Sequence, residues 1–285
     1  MVDYQRVDAQ RYQHASDTLP LLQCAGVPIT ACAPAEAAAR LIALATSEHS
    51  KGVDVHLCNA YTLALADRKA ELRRLLQQAV INFPDGQPVV WANRLRYRHV
   101  DQTKRRIYGP DLLHDVVALG CAVGLRHYFL GSTEPVVAAM ERNLRMRYPT
   151  IQIAGSDSPP FTELDEAARR VQARRIVDSS AQVVWVGLGT PKQDWEVARL
   201  ASELPAVAVA VGAAFDFIAG TKRQAPAWMG AVGAEWLFRL GSEPQRLWRR
   251  YVFGNPRFVI AAARDAWSRP VCGVNDRGGA SDLLK

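Results

Sequence analysis

Between about residues 28 and 219, short apolar or β-branched runs alternate with stretches whose apolar positions recur at helical spacing. "VDVHLCN" (53–59) precedes "AYTLALADRKAELRRLLQQA", in which Leu63, Ala66, Ala70, Leu72 and Leu75 follow one face opposite charged residues. This predicts a strand followed by one amphipathic helix. "VINFPDG" (80–86) is an apolar run ended by a Pro-Asp-Gly turn, and "GPDLLHDVVALGCAVG" (109–124) reads as a helix closed by Gly120 or Gly124. "RHYFLGS" leads into "TEPVVAAMERNLRMRYP", with Thr133 placed as N-cap and Pro135 in the first turn. "IQIAGS" is a strand, "DEAARRVQARRIVDSS" a helix, "AQVVWVGLG" a strand, "PKQDWEVARLASEL" a helix and "AVAVAVGAA" the last buried strand. Such alternation predicts βαβ units: an α/β fold with a mostly parallel sheet flanked by helices.

The pattern divides the chain into an N-terminal extension (1–27), an α/β core (28–219), an appendage (220–270) and a polar tail (271–285) expected to be disordered. The appendage is where the composition changes. Lys222, Arg223, Arg239, Arg246, Arg249, Arg250 and Arg257 face only Glu235 and Glu243, interleaved with Trp228, Trp236, Phe238, Trp248, Tyr251 and Phe253. Trp228, Val232 and Trp236 lie four apart and predict one apolar helix stripe. Arginine beside interfacial aromatics suits a surface of anionic lipid or a lipid diphosphate. The appendage is therefore read as basic, helical and membrane-docking.

Composition narrows the classes further. A hydrophobic content of 49% with 22% charged residues excludes disorder for most of the chain. No window reaches the roughly 18–20 apolar residues of a bilayer-spanning helix, and the first residues lack the layout of a secretion signal, so a cytoplasmic protein is expected. Five cysteines without a CxxC pair read as reduced thiols, and six histidines form no HxxxH or HExxH spacing. Neither a metal nor a cofactor is expected. A net charge of +7 favours an anionic partner, which by charge alone could be nucleic acid, phospholipid or a phosphorylated small molecule.

In open parallel sheets, ligands lie beyond the carboxyl ends of the strands, at helix N-termini. The turns after Cys58, Phe83, Leu130 and Val186 carry Asn59; Asp85 and Gly86; Gly131, Ser132 and Thr133; and Gly187, Gly189, Thr190, Lys192 and Gln193. "GLGTPKQD" matches neither GxGxxG nor the P-loop pattern, so by spacing it is equally a tight turn or a phosphate site. Asp85 before Gly86 is most often a turn former, and in a cleft it could serve as a general base or hold a sugar hydroxyl. In "KRRIYGPDLL" one guanidinium facing the cleft would clamp a diphosphate in two-pronged fashion.

Taken together, "NFPDGQPVVWA", "RRIYGPDLL", "YFLGSTEPVVAAMERNLRMRYP", "VWVGLGTPKQDWE", "AVGAAFDFIAGTKRQAPAWM" and "GAEWLFRLGSEPQRLWRRYVFGNPRF" resemble, in order and over roughly residues 50–260, the bacterial WecG/TagA/CpsF glycosyltransferases. The resemblance implies a Rossmann-like core and metal-independent, inverting transfer of a sugar from a UDP-sugar to a polyprenyl-diphosphate-linked acceptor in envelope polysaccharide synthesis. It also implies an appendage that docks on the anionic inner membrane surface. By resemblance Asp85 is the catalytic base, and Asn59, Arg106 and Gln193 bind substrate, with Gly131, Gly187 and Gly189 as backbone through which a ligand approaches. Arg223, Arg239, Arg246, Arg249 and Arg250 are the candidates to meet the acceptor diphosphate or the membrane. Relatives often carry Thr where this chain has Leu57, Arg-Ala-Pro where it has Gln224 before Ala225-Pro226, and Glu where it has Asp194.

The resemblance leaves open whether the donor carries N-acetylmannosamine, its uronic acid or glucose, and whether the protein is a homo-oligomer. A nicotinamide dehydrogenase, one rival reading, would need a dinucleotide glycine fingerprint, which is absent. A nucleic-acid-binding or membrane-surface module without transferase activity is the alternative, and no nucleic-acid partner is expected.

Overall fold

The structure, a computed structural model, describes residues 19–47, 52–98, 100, 105–160, 162, 164–231, 233–267 and 272–275. The chain opens with β1 (Leu19–Cys24), β2 (Val27–Thr30) and α1 (Pro34–Thr46), then enters β3 (Val53–Cys58), α2 (Ala60–Arg68), α3 (Ala70–Gln78), β4 (Ile81–Pro84) and α4 (Gln87–Arg96). It continues through α5 (Gly109–Gly120), β5 (Arg126–Gly131), α6 (Glu134–Arg147), β6 (Gln152–Asp157), α7 (Glu166–Asp178), β7 (Val183–Gly187), α8 (Lys192–Glu203), β8 (Val207–Ala210) and α9 (Ala214–Ala219). The last elements are α10 (Ala227–Ala231), α11 (Glu235–Ser242), α12 (Pro244–Trp267) and β9 (Cys272–Asn275).

The alternating pattern yields a six-stranded sheet of order β4-β3-β8-β7-β5-β6, parallel at every pairing. Helices cover both faces, so β4, β7 and β8 are buried almost throughout, which is why they read as continuous apolar runs rather than alternating ones. The largest core side chain, Trp185 of β7, donates its indole N–H to His127 Nδ1 at 3.2 Å. Burial pushes the His127 pKa down to about 4, which keeps that nitrogen an acceptor. β3 connects to β4 on one side while β8 lies on its other side. That reversal opens a crevice at the carboxyl ends of β3 and β8.

Several expectations are corrected. The single helix read across 60–79 breaks at Lys69, whose backbone is extended at φ −112°, ψ 101°. The Arg73 guanidinium supports the break by donating to the carbonyls of Ala66 (3.2 Å) and Asp67 (3.1 Å), which the end of α2 leaves unpaired. Thr133 sits at the N-cap of α6, but its side chain makes no capping bond. Trp228 and Trp236 fall on separate helices, α10 and α11, because the chain turns at Gly233 with φ +71°; Val232 lies outside the described residues. The boundary at residue 27 cuts a β1–β2 hairpin, and within the tail Cys272–Asn275 forms β9, which pairs antiparallel with β1.

The appendage packs on the core. Phe258 and Ala261 of α12 are buried among Leu63, Ala66 and Leu72 of α2 and α3, and Asp265 accepts the backbone N–H of Gly26 at 2.9 Å. Arg257 and Arg264 both reach Asp67 on α2, at 3.0 and 3.2 Å. Its other face leaves Trp228 66% and Phe253 63% exposed, with Leu237, Val252, Val259 and Ile260 also open. No helix among the described residues is long and apolar enough to cross a membrane.

Candidate functional site

At the carboxyl ends of β3, β4 and β8 lies a cavity lined by Asn59, Asp85, Arg106, Tyr108, Gly189, Gln193, Gly212 and, from the appendage, Glu235, Trp236, Arg239 and Arg250. Its volume, about 200 Å³, falls below the roughly 300–1,000 Å³ of a typical small-molecule site. Appendage side chains fill part of the space.

Each group is placed by local backbone chemistry. β3 ends at Cys58, and Asn59 becomes the N-cap of α2, its Oδ1 accepting the N–H groups of Tyr61 and Thr62 at 3.0 Å. Its side-chain amide then serves the neighbouring Asp85 carboxylate. Asp85 follows β4, and its N–H donates to Cys58 O at 2.9 Å, drawing the two strand ends together. The N–H of Ile107 donates to Pro84 O at 2.8 Å, which lays Arg106 alongside. Burial raises the Asp85 pKa, only partly offset by Arg106, and Glu235 adds to the rise; the result is about 6.

Arg106 is held from three sides. Its guanidinium lies 4.4 Å from the Tyr108 ring centroid, its Nη1 donates to Glu235 Oε2 at 2.6 Å, and Gly230 passes so close that an added Cβ would meet Nη2 at 3.1 Å. Glu235 and Gly230 both belong to the appendage, so this one core arginine ties the appendage to the cavity. One turn beyond Glu235 on α11, Arg239 lies over Phe217 at 5.8 Å, while Arg250 of α12 sits 4.0 Å from the Tyr61 ring.

Helix dipoles add a fixed field. α4 and α5 begin at cavity residues and have no side-chain cap, so their first N–H groups and positive ends favour an anion there, whereas in α8 the N–H groups of Gln193 and Asp194 already donate to Gly189 O and Pro191 O at 3.0 Å. The arrangement supplies one carboxylate poised near neutrality and several cations around it. Such a site can take a proton from a hydroxyl and hold the charge of a phosphate leaving group.

The structure brings Asn59, Asp85, Arg106, Gly189, Gln193, Arg239 and Arg250 together at this cavity and leaves other candidates outside its lining. Gly131 and Gly187 face each other across β5 and β7. A Cβ on Gly131, at φ +126°, would lie 2.6 Å from Gly187 O. Those glycines permit two strand ends to approach, which is a packing role. Arg223 is exposed away from the cavity, Arg249 rests 5.3 Å over Trp248 on the outer face, and the side chain of Arg246 lies outside the described residues. Gln193 is 3% exposed and accepts Gly189 N–H at 3.0 Å, so it shapes the loop as well as lining the cavity.

Sequence reasoning passes over Glu235, Tyr61 and Tyr108. An acid in the first turn of a basic amphipathic helix is expected there for the dipole alone, and only the fold aims Glu235 at Arg106. Among the described residues no group of three or more His, Cys, Asp or Glu could hold a metal ion. A family model described as "Glycosyl transferase WecG/TagA/CpsF family" matches residues 22–271.

Proposed function

The chain belongs to the WecG/TagA/CpsF family of glycosyl transferases, and from that premise we propose an inverting transfer of a hexose-type sugar from a UDP-sugar to a polyprenyl-diphosphate-linked saccharide. Membership itself makes the protein a glycosyltransferase of envelope polysaccharide synthesis. The observation that carries the finer reading is the meeting of Asp85 with Arg106, Arg239, Arg250 and two uncapped helix N-termini around one cavity.

In this reading the Asp85 carboxylate removes the proton from the acceptor hydroxyl as its oxygen attacks the anomeric carbon. The bond from that carbon to the UDP oxygen breaks with inversion, and the pair of electrons leaves with UDP. Arg106, with the uncapped N-termini of α4 and α5, stabilises the departing diphosphate. Arg239 and Arg250 face the acceptor diphosphate, which enters from the appendage side. The exposed Trp228, Leu237, Trp248, Val252 and Phe253 beside Arg249 suit peripheral docking on the anionic inner face of the cytoplasmic membrane.

Incubating the protein with a panel of UDP-sugars and a prenyl-diphosphate-linked saccharide tests the reading. Release of UDP with product of inverted anomeric configuration is expected with one donor of the N-acetylmannosamine, uronic acid or glucose type. Release with no sugar transferred would overturn it. Sedimentation with anionic liposomes should pull the protein down; a duplex-DNA shift with no liposome binding would favour the nucleic-acid alternative instead.

A further inference from the structure

A charged group is buried behind the cavity, where none of the chemistry above needs it. His56 of β3 is completely buried. Its Nδ1 lies 3.1 Å from Asp194 Oδ1 on α8, and its Nε2 lies 3.1 Å from Asp54 Oδ2. Asp54 also accepts Val80 N–H at 2.9 Å, at the entry to β4. A neutral imidazole has one N–H and would aim a lone pair at one of the carboxylates; an imidazolium satisfies both. Burial works against that charge, but the hydrogen bonds to Asp194 and Asp54 outweigh it and raise the His56 pKa to about 9.

The other titratable groups near it are few. Cys58, two residues on along the same strand face, is a thiol pushed well upward by burial. In register from β4 comes the neutral amide of Asn82, and from β8 comes Ala210. The second oxygen of Asp194, Oδ2, is buried without a hydrogen-bond partner, a costly arrangement in a core. Replacing such a network with apolar side chains would commonly serve stability better.

What the network joins explains its place. Asp194 directly follows Gln193, whose Oε1 holds the N–H of Gly189. His56 stands three residues before Asn59, which caps α2 and serves Asp85. The two cavity walls, one carrying Asn59 and Asp85 and the other Gly189 and Gln193, are thus riveted through one imidazolium.

We propose that His56, clamped as a cation between Asp54 and Asp194, is a positioning residue for the Gly189–Gln193 loop that receives the donor nucleotide. The kinetic part rests on the transferase reading; the charge state of His56 does not.

The test combines histidine-detected NMR with donor kinetics and UDP titration calorimetry from pH 6 to 10 on the full chain, for wild type, His56→Gln and the isosteric Asp194→Asn. The His56 ring should stay doubly protonated to about pH 8 in the wild type. His56→Gln should raise the donor KM and the UDP Kd by about 10-fold with kcat within about threefold. In the wild type the KM should rise further as pH passes about 9, and that part of the profile should be absent from His56→Gln. Titration of the nucleotide base would appear equally in both proteins. If folded His56→Gln keeps the wild-type KM and pH profile, the proposal is wrong. Should His56→Gln fail to fold, Asp194→Asn and the wild-type profile decide: a KM indifferent to His56 deprotonation overturns the clamp. Absence of UDP binding to the wild type at every pH would defeat the transferase reading and leave the NMR result standing.

Discussion

The Glu235 carboxylate accepts a 2.6 Å hydrogen bond from Arg106 Nη1 across the boundary between appendage and core. It occupies the guanidinium that an incoming diphosphate would engage, and it helps raise the Asp85 pKa.

Glu235→Gln should therefore strengthen UDP binding by about 3–10-fold, a modest effect because the pair is partly solvated. The acid limb of the rate profile should also move to lower pH as Asp85 loses a like charge. Calorimetry and a pH–rate series check both, and weaker UDP binding would show that Glu235 orients Arg106 for the donor rather than competing with it.

Asp85 must be ionised to act as a base, so turnover should rise with pH through about 6 and level off above it. Its stability effect has the opposite sign. The folded pKa lies above the ordinary aspartate value of 3.8, so the native state binds more protons than the unfolded state between those values, and stability falls as pH rises through that window. Asp85→Asn should cut turnover by at least about 100-fold while melting at or above the wild-type temperature at pH 7. Near-wild-type turnover would remove Asp85 from the mechanism.

His56 carries its own stability signature. Its folded pKa is raised from 6.5 to about 9, so its contribution is full below 6.5 and lost as pH climbs through 9. Wild-type protein should lose melting temperature across that interval more steeply than His56→Gln. Parallel curves from differential scanning calorimetry would mean that His56 is not charged in the fold.

Asp67 gathers Arg73, Arg257 and Arg264 within 3.0–3.2 Å. Asp67→Asn should loosen α12 by about 1 kcal/mol, discounted because the two appendage arginines are about half exposed or more. Limited proteolysis should then cut faster between residues 220 and 267, and the difference should shrink in high salt. Unchanged cleavage would assign the docking of α12 to its other contacts, among them Phe258, Ala261 and the Asp265–Gly26 hydrogen bond.

Gly131→Ala tests the reassignment of the glycines. A Cβ there meets Gly187 O at 2.6 Å from a backbone at φ +126°, so a loss of roughly 2 kcal/mol or more is expected, with unchanged donor KM in the folded fraction. A raised KM at wild-type stability would return Gly131 to the ligand site.

Much of this was legible in the chain, since strands buried on both faces announce themselves as apolar runs and helices by their period, both of which are local. Asn59, Asp85 and Gln193 could be named because each follows a strand, where parallel sheets put their ligands. Gly131 and Gly187 lie outside the cavity lining, and a glycine needed for close strand approach and one needed for a ligand look identical in one dimension. The helix read through Lys69 failed for a similar reason: the apolar spacing continues while Arg73 takes the carbonyls at the break.

By itself the sequence determined the α/β class, the carboxyl-edge loops and the basic, aromatic character of the appendage, because these follow from residue type and short-range spacing. Only the tertiary structure decided that Glu235 meets Arg106 from 129 residues away and that His56 meets Asp194 from 138 residues away. Such pairings depend on which strands lie side by side and where a docked helix begins, and no local pattern encodes either.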